Sequence, residues 1–327
     1  MKKVVIKEPY TVVIEQGPKP QISDDQFLAR AIATGISAGT ERIRYNGTNP
    51  AYLTGRRSYP EEPGYEFVGK VTEIGKNITS VSPGDKIFAL APHCEYVAFR
   101  EFDFFGVLPN EIDIENALFA ALTMSTIHVA HRCNITLGDT VGVVGLGVFG
   151  LLIAQIAKLN GASKVIGLNP SAWKGSFAKK MGIDLILKTN SYRPQLLAET
   201  QSRGVDIAIE SSGYSSGVTI AVDIVRKRGK VAIVGFHSHP FEISGENLFT
   251  KELTILGIRN GGGPNMSYEY LRWSKRENFN EALRLIKSGV IQGKSMITHR
   301  FKADDIEKAY QLIDKRAEPY LQVILNW

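Results

Sequence analysis

Short apolar runs separated by turn residues fill the first 110 positions of the chain. Runs that are apolar, or that alternate between apolar and polar residues, predict strands at 4–6, 11–15, 26–34, 66–74, 86–89 and 96–99. Turn signals such as Gly17-Pro18, Pro63-Gly64 and Pro83-Gly84-Asp85 punctuate them. The N-terminal third is therefore predicted to be β-structure.

From about Glu115 the pattern alternates between helix and strand. A helical stretch at 117–130 leads to a strand at 140–144, a glycine loop and a helix at about 149–160. Further strand-like runs, with helical patterns between them, lie at 164–169, 184–187, 205–210, 230–236 and 253–258. This alternation predicts a parallel, doubly wound sheet covered on both faces. Two more helices, about 278–288 and 303–316, precede a strand at 321–325 that we expect to rejoin the N-terminal β-region.

Composition narrows the class of protein and of partner. A chain of 327 residues, 43% hydrophobic and 22% charged, predicts a globular protein of two domains, or of one large domain with insertions. Two cysteines cannot form a disulfide framework or a four-cysteine zinc site, and the N-terminal apolar run is too short for a signal peptide. We therefore expect a cytoplasmic protein that has no membrane partner.

The charge balance favours a small anionic ligand. Lys and Arg outnumber Asp and Glu by 39 to 33, a mild basic excess. Nucleic-acid binders usually concentrate such charge together with aromatic residues, and no such block occurs in this sequence. A nucleic-acid partner is therefore not expected.

A glycine motif follows the strand at 140–144. It reads Gly145-Leu146-Gly147-Val148-Phe149-Gly150, and the next strand ends at Leu168-Asn169. A strand before, a helix after and a second strand about 20 residues on are the context of the dinucleotide fingerprint. Gly145 would make the tight turn, Gly147 would admit the pyrophosphate, and Gly150 would let helix and strand pack closely. The alternative is a turn that only packs.

Asn169 stands where an acidic residue usually binds the ribose 2′-hydroxyl. An amide still bonds the hydroxyl but does not repel a 2′-phosphate. Lys174 could reach such a phosphate, although it could equally be a solvated surface lysine. These residues indicate NAD or NADP, with a slight preference for NADP.

Several further motifs resemble the medium-chain dehydrogenase/reductase superfamily, which includes the zinc alcohol dehydrogenases and zinc-free quinone reductases. They are Gly35-Ile-Ser-Ala-Gly-Thr40-Glu41, Pro63-Gly64-Tyr65-Glu66, Pro83-Gly84-Asp85, Glu210-Ser-Ser-Gly213 and Gly229-Lys-Val-Ala-Ile-Val-Gly235. The resemblance implies an α/β fold that combines a GroES-like β-domain, residues 1–124 completed by 259–327, with a Rossmann NAD(P)-binding domain at 125–258. It also implies a homodimer through edge strands near 253–258.

The positions that would bind catalytic zinc in that superfamily hold other residues. They are Ser37 or Ala38, then Tyr65, then the Ala121-Leu122 region, and the four-cysteine structural lobe is missing. Hydroxyl and alkyl groups cannot replace thiolate and imidazole around zinc. We therefore expect no zinc. Within the superfamily, residues 35–71 look most like the zinc-free bacteriochlorophyllide a dehydrogenase subgroup.

Side-chain donors must then polarise the reacting oxygen. Tyr65, in the place of the zinc-binding histidine, is the first candidate for the proton donor. By resemblance Thr40 occupies the hydroxyl relay position, Glu41 and Glu66 orient the site, and His93 is a candidate proton shuttle. Each has a structural alternative: a packing aromatic, a turn cap, ion-pair partners or a hydrogen-bonded loop histidine.

Substrate and cofactor contacts are also predicted. Ser37 and a cluster of Arg42, Arg44, Arg56 and Arg57 would bind an anionic substrate, although the arginines could form only a solvated face. By resemblance, further cofactor contacts are Ser212, Val234, Gly235, Phe236, Ile258 and Arg259.

The sequence thus predicts a zinc-independent NAD(P)-dependent oxidoreductase that interconverts a secondary alcohol and a ketone. An anionic polyol, cyclitol or sugar-like compound is the expected substrate. The alternatives are a zinc-free quinone or enoyl C=C reductase and a non-catalytic NAD(P)-binding protein.

Overall fold

The computed structural model describes residues 1–170, 175–259 and 272–327, which fall into two compact units. The first, here the terminal unit, comprises Met1–Met124 and Gly262–Trp327, and the second, the central unit, comprises Ser125–Gly261. Among the described residues no helix is both long enough and apolar enough to cross a lipid bilayer.

Strands occur in both units and are numbered in chain order. They are β1 (Lys2–Glu8), β2 (Thr11–Gln16), β3 (Gln26–Ile36), β4 (Glu66–Ile74), β5 (Lys86–Ala89), β6 (Tyr96–Arg100), β7 (Phe104–Val107), β8 (Thr140–Val144), β9 (Lys164–Leu168), β10 (Leu185–Leu187), β11 (Val205–Glu210), β12 (Val225–Ile233), β13 (Thr254–Gly257), β14 (Ile297–Lys302) and β15 (Gln322–Asn326).

The helices are numbered in the same way. They are α1 (Ala38–Tyr45), α2 (Pro50–Leu53), α3 (Ile114–Ala117), α4 (Ala120–Cys133), α5 (Val148–Leu159), α6 (Gly175–Lys180), α7 (Arg193–Glu199), α8 (Ser215–Ile224), α9 (Gly245–Thr250), α10 (Lys275–Lys287) and α11 (Ile306–Lys315), with short 3₁₀ turns at Lys294–Met296 and Ala303–Asp305.

The terminal unit is built on a mainly antiparallel sheet in the order β14-β15-β3-β4-β5-β7, with β6 also paired to β3 and a separate β1-β2 hairpin. Strand β15 lies antiparallel to β3, with Val323 opposite Ile36. This confirms that the C-terminal strand rejoins the N-terminal β-region. Buried rings of Phe27, Phe67 and Phe99 pack in its core.

The central unit holds a parallel sheet in the order β10-β9-β8-β11-β12-β13. The order reverses between β8 and β11, which is the doubly wound arrangement that the alternating pattern predicts. Both faces are covered, so β8 reads as a nearly continuous apolar strand with Val141, Val143 and Val144 buried.

Several elements differ from the sequence prediction: strands β7 and β14 and helix α2 were not predicted. Two further differences have identifiable reasons. Helix α1 begins directly after β3 in the motif at 35–41, where we predicted no helix, because Glu41 returns to bond the backbone N–H of Ser37. Strand β12 starts at Val225 and ends at Ile233, whereas the prediction was 230–236. It stops there because the N–H groups of Val234 and Gly235 turn to the carbonyl of Glu210.

Candidate active site

The corner between β3 and α1 carries the first group of predicted site residues. Ser37 is the residue preceding α1, and its backbone N–H donates to Glu41 Oε1 at 2.8 Å. A carboxylate in the first turn of a helix also interacts favourably with the helix dipole. Glu41 therefore fixes the turn on which Ser37 and Thr40 stand.

Glu41 continues into a fully buried polar network. Its Oε2 lies 2.9 Å from His93 Nε2 and accepts a hydrogen bond from the Tyr310 hydroxyl. His93 Nδ1 lies 2.8 Å from Thr34 Oγ1, which accepts from Trp327 Nε1 at 3.1 Å. If Thr34 donates to Nδ1, His93 carries its proton on Nε2 and donates to Glu41, and every group has a partner.

The network keeps Glu41 ionised. Burial raises the pKa of a carboxyl group, but His93, the Tyr310 hydroxyl and the Ser37 N–H outweigh that effect, so the pKa of Glu41 lies below its ordinary value. His93 is completely buried, and its described hydrogen bonds lead to Thr34 and Glu41. These contacts fit a positioning role, and its predicted role as a proton shuttle stays a prediction.

Three hydroxyl groups meet beside this network. Tyr65 Oη donates to Ser37 Oγ at 2.6 Å, and Thr40 also hydrogen-bonds the phenol. Thr40 Oγ1 donates to the Ser37 carbonyl at 3.2 Å. We call Ser37, Thr40 and Tyr65 the hydroxyl cluster. Burial and the nearby Glu66 raise the pKa of Tyr65 above its ordinary value, so the phenol stays protonated at neutral pH.

Glu66 is the other buried acid of the site. Gln322 Nε2 donates to its Oε2 at 3.2 Å, whereas Oε1 is buried and has no hydrogen-bond partner among the described residues. Burial, together with the negative charge of Glu41, raises the pKa of Glu66 well above its ordinary value. Burial therefore favours the protonated form of Glu66, whereas the donors around Glu41 favour its ionised form.

Three of the four predicted substrate arginines face carboxylates of this chain. Arg44 and Arg57 bind the two oxygens of Glu61 at 2.8 and 2.6 Å, and Arg42 lies 3.4 Å from Asp314. Arg56 is exposed and bonds the hydroxyl of Thr54 at 3.0 Å. Among these four, Arg56 alone makes no carboxylate contact within the described part of the chain.

The residues at the zinc positions do not fit a zinc ion. Ser37 Oγ accepts a hydrogen bond from the Tyr65 hydroxyl, and Ala121 and Leu122 carry no ligating side-chain atom. His93, the buried imidazole of this region, has both ring nitrogens occupied. Over residues 1–170, 175–259 and 272–327, no three His, Cys, Asp or Glu side chains are grouped to hold a metal.

The glycine loop of the central unit fits a dinucleotide. Gly145 has a φ of +95°, in the left-handed region, and a Cβ at Gly150 would lie 2.0 Å from the Gly145 carbonyl oxygen. At Gly147 no atom of the described residues lies within 4 Å of the Cβ position, so a ligand can approach the start of α5. Leu146 is buried, and Val148 and Phe149 begin α5.

Asn169 lies at the end of β9, next to the glycine loop. It is nearly buried, and its Oδ1 accepts from the backbone N–H of Leu146 at 3.4 Å. The residue therefore supports the loop, and its predicted contact with the cofactor ribose stays a prediction. Lys174, the predicted phosphate contact, lies outside the described residues.

The remaining predicted cofactor residues follow β11, β12 and β13 at the carboxyl edge of the sheet. Ser212 donates to Glu210, Val234 and Gly235 donate to the Glu210 carbonyl at 2.9 and 3.0 Å, and Phe236 is 50% exposed. After β13, Ile258 is buried and its N–H donates to the Ile233 carbonyl, while Arg259 is exposed.

Sequence reasoning missed the partners that come from distant parts of the chain. Tyr310 and Trp327 reach the network across 269 and 293 residues, and Gln322 reaches Glu66 across 256. The sequence carries no local signal for such pairs. His237, which lies 2.9 Å from the buried carboxylate of Glu210, was also missed. The position of Glu210 at a strand end was the available signal.

Two family models match consecutive parts of the chain. The alcohol dehydrogenase GroES-like domain matches residues 23–121, and the zinc-binding dehydrogenase domain matches residues 148–287. The chain belongs to the medium-chain dehydrogenase/reductase superfamily. The chain is therefore an oxidoreductase of this superfamily, with a GroES-like domain and a Rossmann-like parallel sheet, as the motifs predict.

Individual relatives cover the whole chain at low identity. A sorbitol dehydrogenase from Halalkalibacterium halodurans is 25% identical over 92% of this chain and 92% of its own length. Galactitol-1-phosphate dehydrogenase from Escherichia coli matches with a TM-score of 0.83 and 22% identity over 100% of both chains. An alcohol dehydrogenase from E. coli CFT073 in complex with NADH matches with a TM-score of 0.83 and 21% identity over 100% of this chain and 99% of its own.

Proposed function

We propose that this medium-chain dehydrogenase is a zinc-independent enzyme that interconverts a secondary alcohol and a ketone on a polyol, cyclitol or sugar-like substrate with an anionic group. The observation that carries the proposal is the hydroxyl cluster. Tyr65, Ser37 and Thr40 occupy and adjoin the zinc positions, and the phenol is held in its protonated form.

Ketone reduction needs a hydride and a proton, and NAD(P)H, when bound, would supply the hydride. The carbonyl oxygen gains negative charge as the hydride arrives, so a hydrogen-bond donor at that oxygen lowers the barrier. Ser37 accepts from Tyr65 and retains its own O–H for a substrate oxygen. The proton would pass from Ser37 to the product oxygen and be replaced from Tyr65, and the phenolate would regain its proton from solvent as the product leaves.

The raised pKa of Tyr65 gives this route a direction. Because its pKa is raised, the phenol keeps its O–H near neutral pH and is available as a hydrogen-bond donor, whereas the phenolate that alcohol oxidation would need as a base is hardly populated. Ketone reduction is then favoured near neutral pH, and alcohol oxidation should accelerate as pH rises towards the pKa of the phenol.

The substrate class is supported by two observations. The relatives named above act on sorbitol and galactitol 1-phosphate, both polyols. Arg56 is exposed, and its guanidinium is not paired with any described carboxylate, which suits a phosphate or carboxylate on the substrate. The uncharged Asn169 supports the slight preference for NADP, because no carboxylate at that position repels a 2′-phosphate.

The test is a screen of polyols, cyclitols and their phosphates, with the matching ketones, in the presence of NAD(H) and NADP(H). With any substrate found, Tyr65→Phe should lower kcat about 100-fold or more and leave the Kd for NAD(P)H unchanged. Tyr10→Phe is the control, because this phenol is 60% exposed and lies outside the hydroxyl cluster.

Three results would contradict the proposal. Stoichiometric zinc in tag-free protein, with activity lost to a chelator, would refute zinc independence. A saturated ketone as the product of an enone would indicate a C=C reductase. Full activity of Tyr65→Phe would exclude the phenol as the proton donor.

A further inference from the structure

A buried carboxylate and a histidine lie together at the carboxyl edge of the central sheet. They follow β11 and β12, which lie on one side of β8, whereas Asn169 follows β9 on the other side. Glu210 ends β11, and His237 follows β12 by four residues. In the sheet, β8 with its glycine loop lies between β9, which leads to Asn169, and β11. In doubly wound folds a dinucleotide crosses the carboxyl edge at this reversal of strand order.

Glu210 is the anchor of this edge. It is fully buried, and its Oε1 accepts from the N–H groups of Ser212 and Gly213 at 2.7 and 2.9 Å and from the Ser212 hydroxyl. A Cβ at Gly217 would lie 2.7 Å from Oε1, and one at Gly235 would lie 2.7 Å from Oε2. The surrounding chain is therefore shaped around this carboxylate.

The second oxygen of Glu210 orients His237. Oε2 lies 2.9 Å from His237 Nε2, and the imidazole packs against Phe241 with ring centroids 4.7 Å apart. Because the carboxylate accepts, Nε2 carries a proton, and in the neutral ring Nδ1 is an acceptor. In the described part of the chain, Nδ1 has no hydrogen-bond partner, and 8% of the side chain is exposed.

We propose that His237 is a cofactor-positioning residue whose Nδ1 accepts a hydrogen bond from the nicotinamide-ribose half of NAD(P), with Glu210 fixing the ring. The adenosine half belongs with the end of β9, where Asn169 lies, so the ends of β11 and β12 remain for the other half. The inference rests on NAD(P) binding and is independent of the proposed substrate and of zinc.

Two substitutions separate the two ring nitrogens. His237→Gln keeps an N–H that can reach Glu210 but has no acceptor at the place of Nδ1. His237→Asn puts an amide oxygen near the place of Nδ1 but no longer reaches Glu210. The probes are NAD(P)H, ADP-ribose or its 2′-phosphate, and ADP or 2′,5′-ADP, each titrated against the full-length protein without substrate.

We expect His237→Gln to raise the Kd for NAD(P)H about 3- to 10-fold, the range of one hydrogen bond, and to leave the Kd for the ADP probe unchanged. His237→Asn should recover part of the loss. A matching loss for ADP-ribose places the contact on the ribose hydroxyls, and an unchanged ADP-ribose affinity places it on the carboxamide. Both outcomes support the proposal.

Two outcomes would overturn it. An unchanged Kd for NAD(P)H in His237→Gln would show that Nδ1 does not contact the cofactor. An equal loss for the ADP probe would show that the substitution disturbs the loops in general. Failure of the proposed alcohol dehydrogenase activity would leave these binding results unaffected.

Discussion

Two neighbouring buried acids of the site have pKa values shifted in opposite directions because they differ in hydrogen-bond donors. Among the described residues, Glu41 has donors from His93, Tyr310 and Ser37, whereas Glu66 has Gln322 alone. With few donors, burial dominates and the carboxyl group keeps its proton. Gly35 belongs to this arrangement, since a Cβ there would lie 2.0 Å from Glu66 Oε2.

The state of Glu66 predicts a pH effect on stability. Its pKa is raised in the folded protein above the ordinary value of 4.5, so the unfolded chain releases this proton at lower pH than the folded protein does. The contribution to stability is complete below pH 4.5 and is lost as the pH rises towards the folded pKa. Glu66→Gln, which cannot ionise, should match the wild type at pH 4 and have a higher Tm at pH 8.

Thermal unfolding at both pH values checks this expectation, with Glu8→Gln as an exposed control that should change neither. An equal loss of Tm at pH 4 and pH 8 in Glu66→Gln would mean that this carboxyl group stabilises the fold through contacts that an amide cannot make.

At the residue scale, the sequence could name one member of each polar pair but not its partner. Motif position pointed to Glu41, Tyr65, Glu66 and His93, and the structure brings all four into one region. The partners from α11 and β15 were not predictable, because a buried hydrogen bond between distant segments leaves no periodic trace in the sequence.

At the scale of elements, two glycines of the glycine loop have different roles: Gly150 allows close packing, and Gly147 leaves room for a ligand. A Cβ at Gly150 collides with the backbone of Gly145, whereas one at Gly147 meets nothing within 4 Å. Gly150→Ala should therefore cost about 1–3 kcal/mol of stability through overpacking. Gly147→Ala should leave Tm nearly unchanged and weaken NAD(P)H binding about 10-fold or more, because the methyl group would occupy the approach of the pyrophosphate.

Calorimetry and fluorescence titration measure the two effects separately. Gly245→Ala is the matched control, since its Cβ also meets nothing within 4 Å but lies outside the loop, and neither quantity should change. Wild-type NAD(P)H affinity in Gly147→Ala would remove the loop from the binding site.

Strand periodicity placed most of the elements but missed β7 and β14. Two other errors lie where polar groups redirect the backbone. The start of α1 depends on the bond between Glu41 and Ser37, and the end of β12 depends on the carbonyl of Glu210. The spacing of apolar residues predicts only which side of an element is buried, so it could not predict either of these hydrogen bonds.

At the scale of the whole molecule, charge bears on the substrate. The chain carries a formal net charge of +6, but Arg42, Arg44 and Arg57 are partnered by carboxylates of the chain itself. The positive field of the whole protein attracts any anion and weakens with salt. One guanidinium without a carboxylate partner instead favours substrates whose anionic group can reach it. The two contributions can be separated by combining salt with substitution.

For a phosphorylated polyol, raising NaCl from about 50 to 500 mM should raise the apparent KM several-fold, because the Debye length falls from above 10 Å to below 5 Å. The unphosphorylated polyol should show almost no change. Arg56→Ala should raise the KM for the phosphorylated substrate about 3- to 10-fold and flatten its salt dependence, since an exposed ion pair contributes about 1 kcal/mol.

Lys70→Ala removes the same charge from an exposed position on β4 and should have little effect on this KM or on its salt dependence. Equal effects of the two substitutions would assign the salt dependence to the general field, and a salt-independent KM in the wild type would argue against an anionic substrate.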